Sequence, residues 1–543
     1  MPVLDYPQRE WPNHILTKAP AWCSVDLRDG NQALIEPMNV EEKMEFFSLL
    51  VKLGFKEIEI GFPAASQIEY DFLRELVARD MIPDDVYIQV LTQCRKHLIE
   101  RTFEAVEGVK NVVIHIYNST STLQREVVFH MEREGIIQIA IEGTRWVKEL
   151  SRKFDGNVRL EYSPESFSGT EVDFALDICT AVQDEWGPTP DNPIIFNLPN
   201  TVEQTTPNVY ADQIEWMHTH FKDRENIVLS VHPHNDRGTG TAAAELSLLA
   251  GADRVEGTLL GNGERTGNVD ILNIAYNLFS QGIDPGLRIG DIREIVDVYE
   301  RCTKMTVDMR HPYAGKLVFT AFSGSHQDAI NKGLHAQEKR NDGMWEIPYL
   351  PIDPADIGRE YEPLVRINSQ SGKGGVAFVM ETFYGWKLPK GMQAEFAPVI
   401  QKISEQQGGE ISPEAIYETF KDEYIALKDI FEFRKARVTD LDDDMSNVWL
   451  DFMYNGIETY AEATGQGPLD AVKLAVKSRA DIDIKVLDYS EHAMGEGSYA
   501  RAAAYIHMRN NRTGKEIWGA GDSHNITKAS MRAFFSALNR VLR

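Results

Sequence analysis

Short apolar, β-rich runs recur at fairly even intervals along the first half of the chain. The eight runs are "WCSVDL" (22–27), "EIEIGF" (57–62), "YIQVLT" (87–92), "NVVIHIYN" (111–118), "VRLEYSP" (158–164), "PIIFNLPN" (193–200), "IVLSVHPHN" (227–235) and "RVEGTLLG" (254–261). Segments of helical character, such as "GTAAAELSLLAGA", separate them. Eight strands alternating with helices are typical of a (β/α)₈ TIM barrel. An open doubly wound α/β sheet is the alternative, and the strand count favours the barrel.

The regular alternation stops after the eighth run, and Pro and Gly become frequent. We predict a catalytic barrel over 1–305, small linker subdomains over 306–429 and a C-terminal α+β regulatory domain over 430–543. Within the last part, "YNGIETYAEATGQGPLDAVKLAV" (454–476) resembles "RTGKEIWGAGDSHNITKASMRAF" (512–534). Each copy runs from a polar turn through a short strand to a G-x-G loop that opens a helix. Two such copies predict a pseudo-twofold domain.

Composition and charge exclude several classes of partner. The chain has 83 acidic and 56 basic residues, a formal net charge of -27, which argues against nucleic acid. Its four cysteines are scattered without a C-x-x-C pair, so neither a zinc cluster nor a disulfide framework is indicated. No export signal precedes the first run, and the apolar runs fall short of the ~20 residues that span a bilayer. We expect a cytoplasmic protein without a membrane partner.

Polar residues of unusual type follow the predicted strands, where barrel enzymes place their reacting groups. They are Arg28 and Asp29 after the first strand, His115 in the fourth, Ser163 and Glu165 in the fifth, Asn197 and Thr201 at the sixth, His232 and His234 at the seventh, and Glu264, Arg265 and Asn268 after the eighth. Because the carboxyl ends of barrel strands meet at one mouth, these residues predict a single polar cavity.

The paired histidines of "HPHNDRG" indicate a metal. His232 and His234 lie two residues apart, so in a strand they share one face. With Asp29 they supply two nitrogens and an oxygen, and this mixed shell without thiolate suits Mg²⁺ or Mn²⁺, with Zn²⁺ an alternative. One histidine bonded to a backbone carbonyl beside a solvent-facing one is the other interpretation. Arg28 reaches the same mouth only if the chain turns near Gly30, and there it would stabilise negative charge on a carbonyl oxygen.

Several longer motifs resemble one enzyme family. In chain order, "DLRDGNQAL", "HIYNSTS", "YSPESFSGTE", "NLPNTVE", "HPHNDRGTG" and "GNGERTGN" resemble the 2-isopropylmalate synthases of the longer (type 2) class, members of the metal-dependent TIM-barrel Claisen-condensing family. The resemblance continues through "SGSHQDAINKG", "PYLP", "NSQSGKGG" and "YSEHAMGEGSYARAAAYI", so it covers nearly the whole chain.

This resemblance implies condensation of acetyl-CoA with 2-oxoisovalerate, giving 2-isopropylmalate and CoA, the first committed step of leucine biosynthesis. The metal, most simply Mg²⁺, would be bound by Asp29, His232 and His234 with Asn268 close by. Arg28 would contact the keto oxygen and Thr201 the substrate carboxylate. The side-chain pocket would be formed by Leu91, His115, Ser163, Asn197 and Pro199.

The same resemblance places Glu165 and Glu264 near the reacting carbons. His326 and Tyr349 would enter the active site of the partner subunit in a homodimer, and either Glu165 or His326 would be the base. Leucine would bind to the C-terminal domain and inhibit the enzyme.

Three other functions stay open at this point. The enzyme would prefer another oxo acid, such as 2-oxoglutarate or pyruvate, if its pocket held a matching group; a dicarboxylate would need a basic residue. A metal-dependent hydrolase also uses H-x-H, but typically on the first strand of its barrel. A regulatory leucine-binding protein with an inactive barrel is the third alternative, although the metal, Arg28 and Glu165 positions are all filled.

Overall fold

The computed structural model describes residues 4–321, 324–340, 342–361, 373–407, 411–425, 429–441, 444–495 and 499–543. They form two compact units. The first contains the chain up to Phe319 together with Ile352–Glu360, and the second contains Thr320–Pro351 and the chain from Tyr361 to its end. Most of the "NSQSGKGG" motif (368–375) lies outside the described residues. The division at residues 305 and 429 stays a prediction.

The first unit contains a closed barrel of eight parallel strands that pair in chain order. The strands are β1 (Ala21–Ser24), β2 (Glu57–Gly61), β3 (Tyr87–Gln93), β4 (Asn111–Ser119), β5 (Asn157–Glu165), β6 (Ile194–Asn200), β7 (Ile227–Pro233) and β8 (Arg254–Gly257). The predicted TIM barrel is confirmed, and the open doubly wound sheet was the wrong alternative.

Helices follow the strands around the barrel. They are α1 (Val40–Leu53), α2 (Gln67–Ala78), α3 (Lys96–Ala105), α4 (Thr122–Gln124), α5 (Arg133–Ser151), α6 (Val172–Trp186), α7 (Pro207–His220), α8 (Gly240–Leu249), α9 (Ile271–Ser280) and α10 (Ile292–Thr303). Helix α1 shows how the sequence sets such a boundary. Asn39 and Glu42 form a reciprocal capping box at its start, and Gly54, with φ at 97°, ends it.

Three strands end two or more residues earlier than the sequence pattern predicts. β1 stops at Ser24 instead of residue 27, because the chain enters a single π-helical turn at Asp26–Gly30. β8 stops at Gly257 instead of residue 261, and a 3₁₀ turn begins at Leu259. β7 stops at Pro233 instead of residue 235. The early end of β7 moves His234 from the strand into the loop at the barrel mouth.

The second unit begins with helices and ends with two similar α+β halves. Its helices are α11 (Gly324–Arg340), α12 (Lys373–Tyr384), α13 (Lys390–Gln407), α14 (Pro413–Phe420), α15 (Pro468–Lys477) and α16 (Ile526–Leu542). Its strands are β9 (Phe431–Asp440), β10 (Met445–Tyr454), β11 (Ile457–Gln466), β12 (Ile484–Met494), β13 (Arg501–Asn510) and β14 (Glu516–Ser523). Each half is a three-stranded antiparallel sheet followed by a helix. The sequence repeat predicts the last strand and the helix of each half, but not the other two strands.

The glycines of the repeat have a packing role. Gly467 does precede α15, but Gly519 and Gly521 lie inside β14, so the prediction of a second helix-opening G-x-G loop was wrong. A Cβ on Gly519 would lie 2.2 Å from Ala537 N, and one on Gly521 would lie 2.5 Å from Ala533 N. These glycines therefore let the backbone of α16 rest directly on the strand.

We also searched the described residues for helices that could cross a membrane. None combines the length and the apolar character that a bilayer span requires.

Candidate active site

The π-helical turn after β1 brings two neighbouring charges to the barrel mouth. Gly30 N donates to Val25 O at 3.1 Å, which closes the wide turn, and both Arg28 and Asp29 then reach the cavity. Gly30 does not need a left-handed conformation here. Its lack of a side chain matters because a Cβ would lie 3.3 Å from Asn262 Nδ2. The turn is thus tightened against the loop that follows β8.

One cavity of about 230 Å³ at the mouth collects most of the predicted residues. Thirteen of them line it: Arg28, Asp29, Leu91, His115, Ser163, Glu165, Asn197, Pro199, Thr201, His232, His234, Glu264 and Arg265. Gln32, Phe62 and Tyr117 complete the lining. Asn268 is buried beside it, with Oδ1 2.9 Å from His232 Nε2. The prediction of a single polar cavity is borne out by this geometry, whereas the role of each residue stays a prediction.

Asp29, His232 and His234 form a compact donor set. Asp29 Oδ2 lies 3.1 Å from His232 Nε2 and 3.7 Å from His234 Nε2, and all three residues are buried. The two imidazoles stack with their centroids 5.4 Å apart. The side chain of His234 therefore lies on the same side as that of His232, although β7 has already ended. One ligand atom from each of the three residues lies within 4.8 Å of the others. This spacing is compatible with a single ion.

The donor set fits a divalent cation because several hydrogen-bond acceptors point at the same place, where a positive charge would satisfy them. His232 Nδ1 contacts the Glu256 carboxylate at 2.8 Å, so in the neutral ring Nε2 carries the lone pair. That nitrogen faces two further acceptors, Asp29 Oδ2 and Asn268 Oδ1. Without metal a second proton takes the cation's place: although burial opposes charge on the ring, hydrogen bonds with Asp29 and Glu256 raise the pKa of His232 to about 10.

The other two donors are held in their ligating forms. Burial, reinforced by the neighbouring His232, lowers the pKa of His234 to about 4, so this ring is neutral at pH 7 and has a free lone pair. Burial opposes ionisation of Asp29, but Arg28 and the hydrogen bond from His232 together hold the pKa of its carboxyl well below the usual range. A carboxylate and a neutral imidazole are ligands for Mg²⁺, Mn²⁺ and Zn²⁺ alike.

Arg28 is fixed between two carboxylates. Its Nε donates to Glu59 Oε2 at 2.5 Å, and its Nη1 lies 3.3 Å from Asp29 Oδ1. Burial opposes the guanidinium charge, but Glu59 and Asp29 outweigh it and raise the pKa of Arg28 further above its usual value. The guanidinium charge is therefore permanent, and it lines the cavity next to Asp29, His232 and His234.

His115 and Ser163 are hydrogen-bonded to each other at one side of the cavity. His115 Nε2 lies 2.7 Å from Ser163 Oγ, and His115 Nδ1 lies 2.9 Å from Glu59 Oε1. Asn197 Nδ2 lies 3.1 Å from the same Ser163 Oγ, while Asn197 Oδ1 is buried without a hydrogen-bond partner among the described residues. The polar atoms of His115 and Ser163 are therefore engaged within the protein, whereas the Asn197 amide oxygen has no such partner in the described part of the chain.

Glu165 and Thr201 lie on adjacent edges of the mouth. Ser119 donates to Glu165 Oε2, and Thr201 Oγ1 accepts from Ser166 N at 3.0 Å. Because Thr201 uses its oxygen as an acceptor, its own O–H is available for a ligand. Arg265 is engaged by Asp236 at 2.6 Å and so is already paired.

His326 and Tyr349 belong to the second unit. His326 lies in the first turn of α11 and Tyr349 follows that helix, and their rings stack at a centroid distance of 4.1 Å. Both side chains are exposed, and Tyr349 has a left-handed φ of 66°. The structure thus brings these two together. Their predicted entry into the catalytic site of a partner subunit stays a prediction.

Sequence reasoning missed a layer of charge in the barrel interior. It consists of Glu57, Glu59, Gln89, Glu161, Arg254 and Glu256, all buried. Arg254 reaches Glu57 at 2.6 Å and Glu256 at 2.9 Å, so the cation of this layer belongs to the protein. The signal was visible in "EIEIG" and "RVEG", where charged residues alternate with apolar ones at the strand period.

Three family models match successive parts of the chain. Residues 19–298 match the model described as HMGL-like, and 316–381 match the one described as alpha-isopropylmalate synthase, post-catalytic domain-like. Residues 410–542 match the model of the LeuA allosteric (dimerisation) domain. The three matches follow one another along the chain with short gaps.

Full-length relatives carry one name. The 2-isopropylmalate synthase of Parafrankia sp. is 53% identical over 100% of this chain and 96% of that protein. The 2-isopropylmalate synthase of Clostridium acetobutylicum is 51% identical over 99% of this chain and 98% of that protein. Among solved structures, the HMG-CoA lyase of Brucella melitensis is 18% identical, covers 53% of this chain and all of its own, and has a TM-score of 0.44.

Proposed function

This chain belongs to the 2-isopropylmalate synthase family, and on that premise we propose that it forms 2-isopropylmalate and CoA from acetyl-CoA, 2-oxoisovalerate and water. The product is the first committed intermediate of leucine biosynthesis. The reaction removes a proton from the acetyl methyl group, joins that carbon to the keto carbon and hydrolyses the thioester. The observation that carries the proposal is the convergence of Arg28 with Asp29, His232 and His234 in one cavity.

Asp29, His232 and His234 would hold the divalent cation, with the amide oxygen of Asn268 beside them. We propose Mg²⁺ as the native ion, because the shell contains oxygen and nitrogen ligands and no thiolate. Such an ion would act there as a Lewis acid that polarises the keto carbonyl of the oxo acid.

Arg28 and Thr201 would orient the oxo acid. Arg28 is locked by Glu59 and Asp29 and needs no rearrangement to donate to an oxygen that gains negative charge. The Thr201 hydroxyl would donate to the substrate carboxylate, since its oxygen already accepts from Ser166 N. These two donors come from different parts of the barrel, Arg28 after β1 and Thr201 after β6.

The side-chain pocket supports a small apolar branch. Leu91 and Pro199 supply carbon surface, and His115 and Ser163 use their polar atoms on each other and on Glu59. Among the lining residues only Arg28 and Arg265 carry a positive charge, and both are paired with carboxylates. A dicarboxylate such as 2-oxoglutarate would find no unpaired cation there, which favours 2-oxoisovalerate.

The base must act on a methyl proton whose pKa lies far above that of any side chain. Glu165 lines the cavity and Glu264 lies at its edge, where Gln32 donates to it at 3.0 Å. We propose that either Glu165 or His326 is this base. The variants Glu165→Gln and His326→Asn distinguish the two, because loss of the base lowers kcat by about 10²–10⁴-fold and removes one limb of the pH profile.

The LeuA allosteric (dimerisation) domain supports a dimer with a regulatory effector. We propose that His326 and Tyr349 of one subunit complete the cavity of the other. Mixing Asp29→Asn and His326→Asn subunits tests this arrangement. Crossed subunits leave one intact site per mixed dimer and restore about a quarter of the wild-type activity at random 1:1 pairing, because half of the dimers are mixed. Sites within one chain restore none.

Leucine is the effector that we propose. A cavity of about 330 Å³ lies where α15 and α16 begin, lined by Gln466–Leu469, Tyr489, Glu491, Ile526, Thr527, Ser530 and Met531. Helix starts suit a carboxylate, and Glu491 suits an ammonium group. We expect Glu491→Gln to abolish leucine inhibition while leaving the uninhibited kcat/KM unchanged.

The direct test is release of CoA thiol with each of several oxo acids, before and after removal of metal by EDTA. We expect 2-oxoisovalerate to have the highest kcat/KM, and Mg²⁺ to restore the chelated enzyme. Asp29→Asn should remove activity at every Mg²⁺ concentration. Asp85→Asn is the matched control, because this exposed carboxylate forms an ion pair with Lys56 at the surface. Full activity after chelation, or equal activity of the two variants, would refute the proposal.

A further inference from the structure

We propose that Glu256 is the positioning residue of the metal site: its carboxylate holds His232 in the tautomer and orientation that present Nε2 to the cation. The inference rests on the metal site of the proposed function. It assigns a role to a residue that lies below the cavity and is not among its lining residues.

The contact between the two side chains is short and buried. His232 Nδ1 lies 2.8 Å from Glu256 Oε2, and neither residue is appreciably exposed. A carboxylate only accepts hydrogen bonds, so Nδ1 must carry the proton and Nε2 must be the ligating nitrogen. Carboxylate–histidine pairs behind a metal fix the ring and increase the basicity of the ligand.

Glu256 is itself held by donors on every side. Its Oε1 accepts from Gln89 Nε2 at 2.8 Å and from Arg254 Nη1 at 2.9 Å, and its Oε2 accepts a second hydrogen bond from Asn197 Nδ2 at 2.9 Å. Both oxygens are thus saturated, by residues from β3, β6, β7 and β8. The carboxylate cannot rotate away from His232 without breaking several buried hydrogen bonds.

The second histidine lacks such a partner. His234 Nδ1 is buried and makes no hydrogen bond within the described residues. His234 also lies beyond the end of β7, whereas His232 lies inside that strand. Of the two histidines, His232 is therefore fixed before the cation arrives, and Glu256 is the residue that fixes it.

The experiment measures Mn²⁺ binding to the chelated full-length protein, by the EPR signal of free Mn²⁺, for Glu256→Gln and Glu256→Asp. In Glu256→Gln, one of the two carboxylate oxygens becomes an NH₂ group, and in either orientation of the amide this group faces hydrogen-bond donors. The aspartate keeps the charge beside Arg254 but withdraws the carboxylate from His232, so it preserves the folded barrel. We expect each variant to raise the Kd for Mn²⁺ by about 10–100-fold.

Glu57→Gln is the matched control. Glu57 also pairs with Arg254, at 2.6 Å, but does not contact His232, so this variant should bind Mn²⁺ like the wild type even if its Tm falls. An unchanged Kd in both Glu256 variants would overturn the inference, and so would an equal loss in Glu57→Gln. If wild-type protein binds no Mn²⁺, or binds it equally well after Asp29→Asn, the metal site of the proposed function fails first and the inference falls with it.

Discussion

The interior of the barrel contains charged side chains, whereas the core of the C-terminal halves is built from apolar ones. Arg254, Glu161 and Glu256 lie fully buried inside the barrel and contact one another. The C-terminal core consists instead of apolar side chains such as Phe534 and Leu538, packed against the sheets. Ion pairs stabilise the barrel interior, and close packing of apolar side chains stabilises the C-terminal core. Substitutions that preserve side-chain shape should therefore change the free energy of unfolding by different amounts in the two regions.

The physical reason lies in what each substitution leaves behind. Removing one partner from a buried ion pair leaves an uncompensated charge in a medium of low dielectric constant, which costs several kcal/mol. Exchanging one apolar side chain for another of similar volume leaves nothing unpaired and usually costs less than about 1.5 kcal/mol. The barrel therefore maintains its charges because they hold Arg28 and His232 in place, at the expense of tolerance to mutation.

Arg254→Met should have the largest effect on stability. The guanidinium contacts Glu57, Ser230, Gln89, Glu161 and Glu256, and it is fully buried. Methionine fills similar space but leaves ionised carboxylates without their cation. We expect the free energy of unfolding, measured by urea denaturation, to fall by about 3–5 kcal/mol.

Lys56→Met supplies the control for that experiment. Lys56 forms an exposed ion pair with Asp85, so its loss should change stability by less than about 1 kcal/mol. If Arg254→Met proves as mild as Lys56→Met, the barrel interior is not the low-dielectric charge cluster that we describe.

Asp26→Asn should stabilise the protein in a pH-dependent way. Burial raises the pKa of Asp26 from 3.8 to about 7, against the hydrogen bonds from Ser24 and Leu259 N that favour the carboxylate. The folded state therefore holds a proton that the unfolded chain has already released, and wild-type stability falls as the pH rises from about 4 to 7. Asparagine can keep both hydrogen bonds without titrating.

We expect Asp26→Asn to gain on the order of 2–4 kcal/mol over the wild type at pH 9 and to gain progressively less towards pH 4. Denaturation midpoints at pH 9, 7 and 5 provide the measurement. A constant difference across that range would mean that Asp26 titrates in the folded protein as it does in the unfolded chain.

The sequence predicted the barrel well because its signal is local. Apolar runs at the strand period and their spacing located all eight strands, and residues at the strand ends converge because parallel strands share one mouth. The interior charges were missed for a related reason: Glu59 and Arg254 stand in short runs that read as ordinary β-strands, and only closure of the barrel shows that their side chains meet Arg28 and Glu256.

Other features depend on tertiary contacts that no local pattern specifies. The stacking of His326 on Tyr349 joins positions on either side of α11. Gly519 and Gly521 read as a loop in the sequence, but they lie in β14 because the backbone of α16 approaches them. The π-helical turn at Asp26–Gly30 likewise depends on packing against Asn262. Each of these features is set by a neighbour that is distant in the chain.

Leu538→Met tests the volume-filled side of the comparison. Leu538 is fully buried in the C-terminal core, and methionine has a similar volume and can adapt its shape. We expect a loss of about 1 kcal/mol in urea unfolding, well below that of Arg254→Met. A loss of more than about 3 kcal/mol would show that this core depends on shape as strictly as the barrel depends on charge.

Glu161→Gln should have the smallest effect, although Glu161 lies in the middle of the charged interior. Burial, reinforced by the neighbouring Glu256, raises the pKa of Glu161 well above its ordinary value, which favours the protonated side chain in the folded protein. Glutamine has nearly the same shape as a protonated glutamic acid, and Arg254 keeps Glu57 and Glu256 as ionised partners. We therefore expect a change of less than about 1 kcal/mol in urea unfolding at pH 7. A loss comparable to that of Arg254→Met would mean that Glu161 is ionised in the folded protein and that its charge is balanced by Arg254, which lies 3.3 Å away.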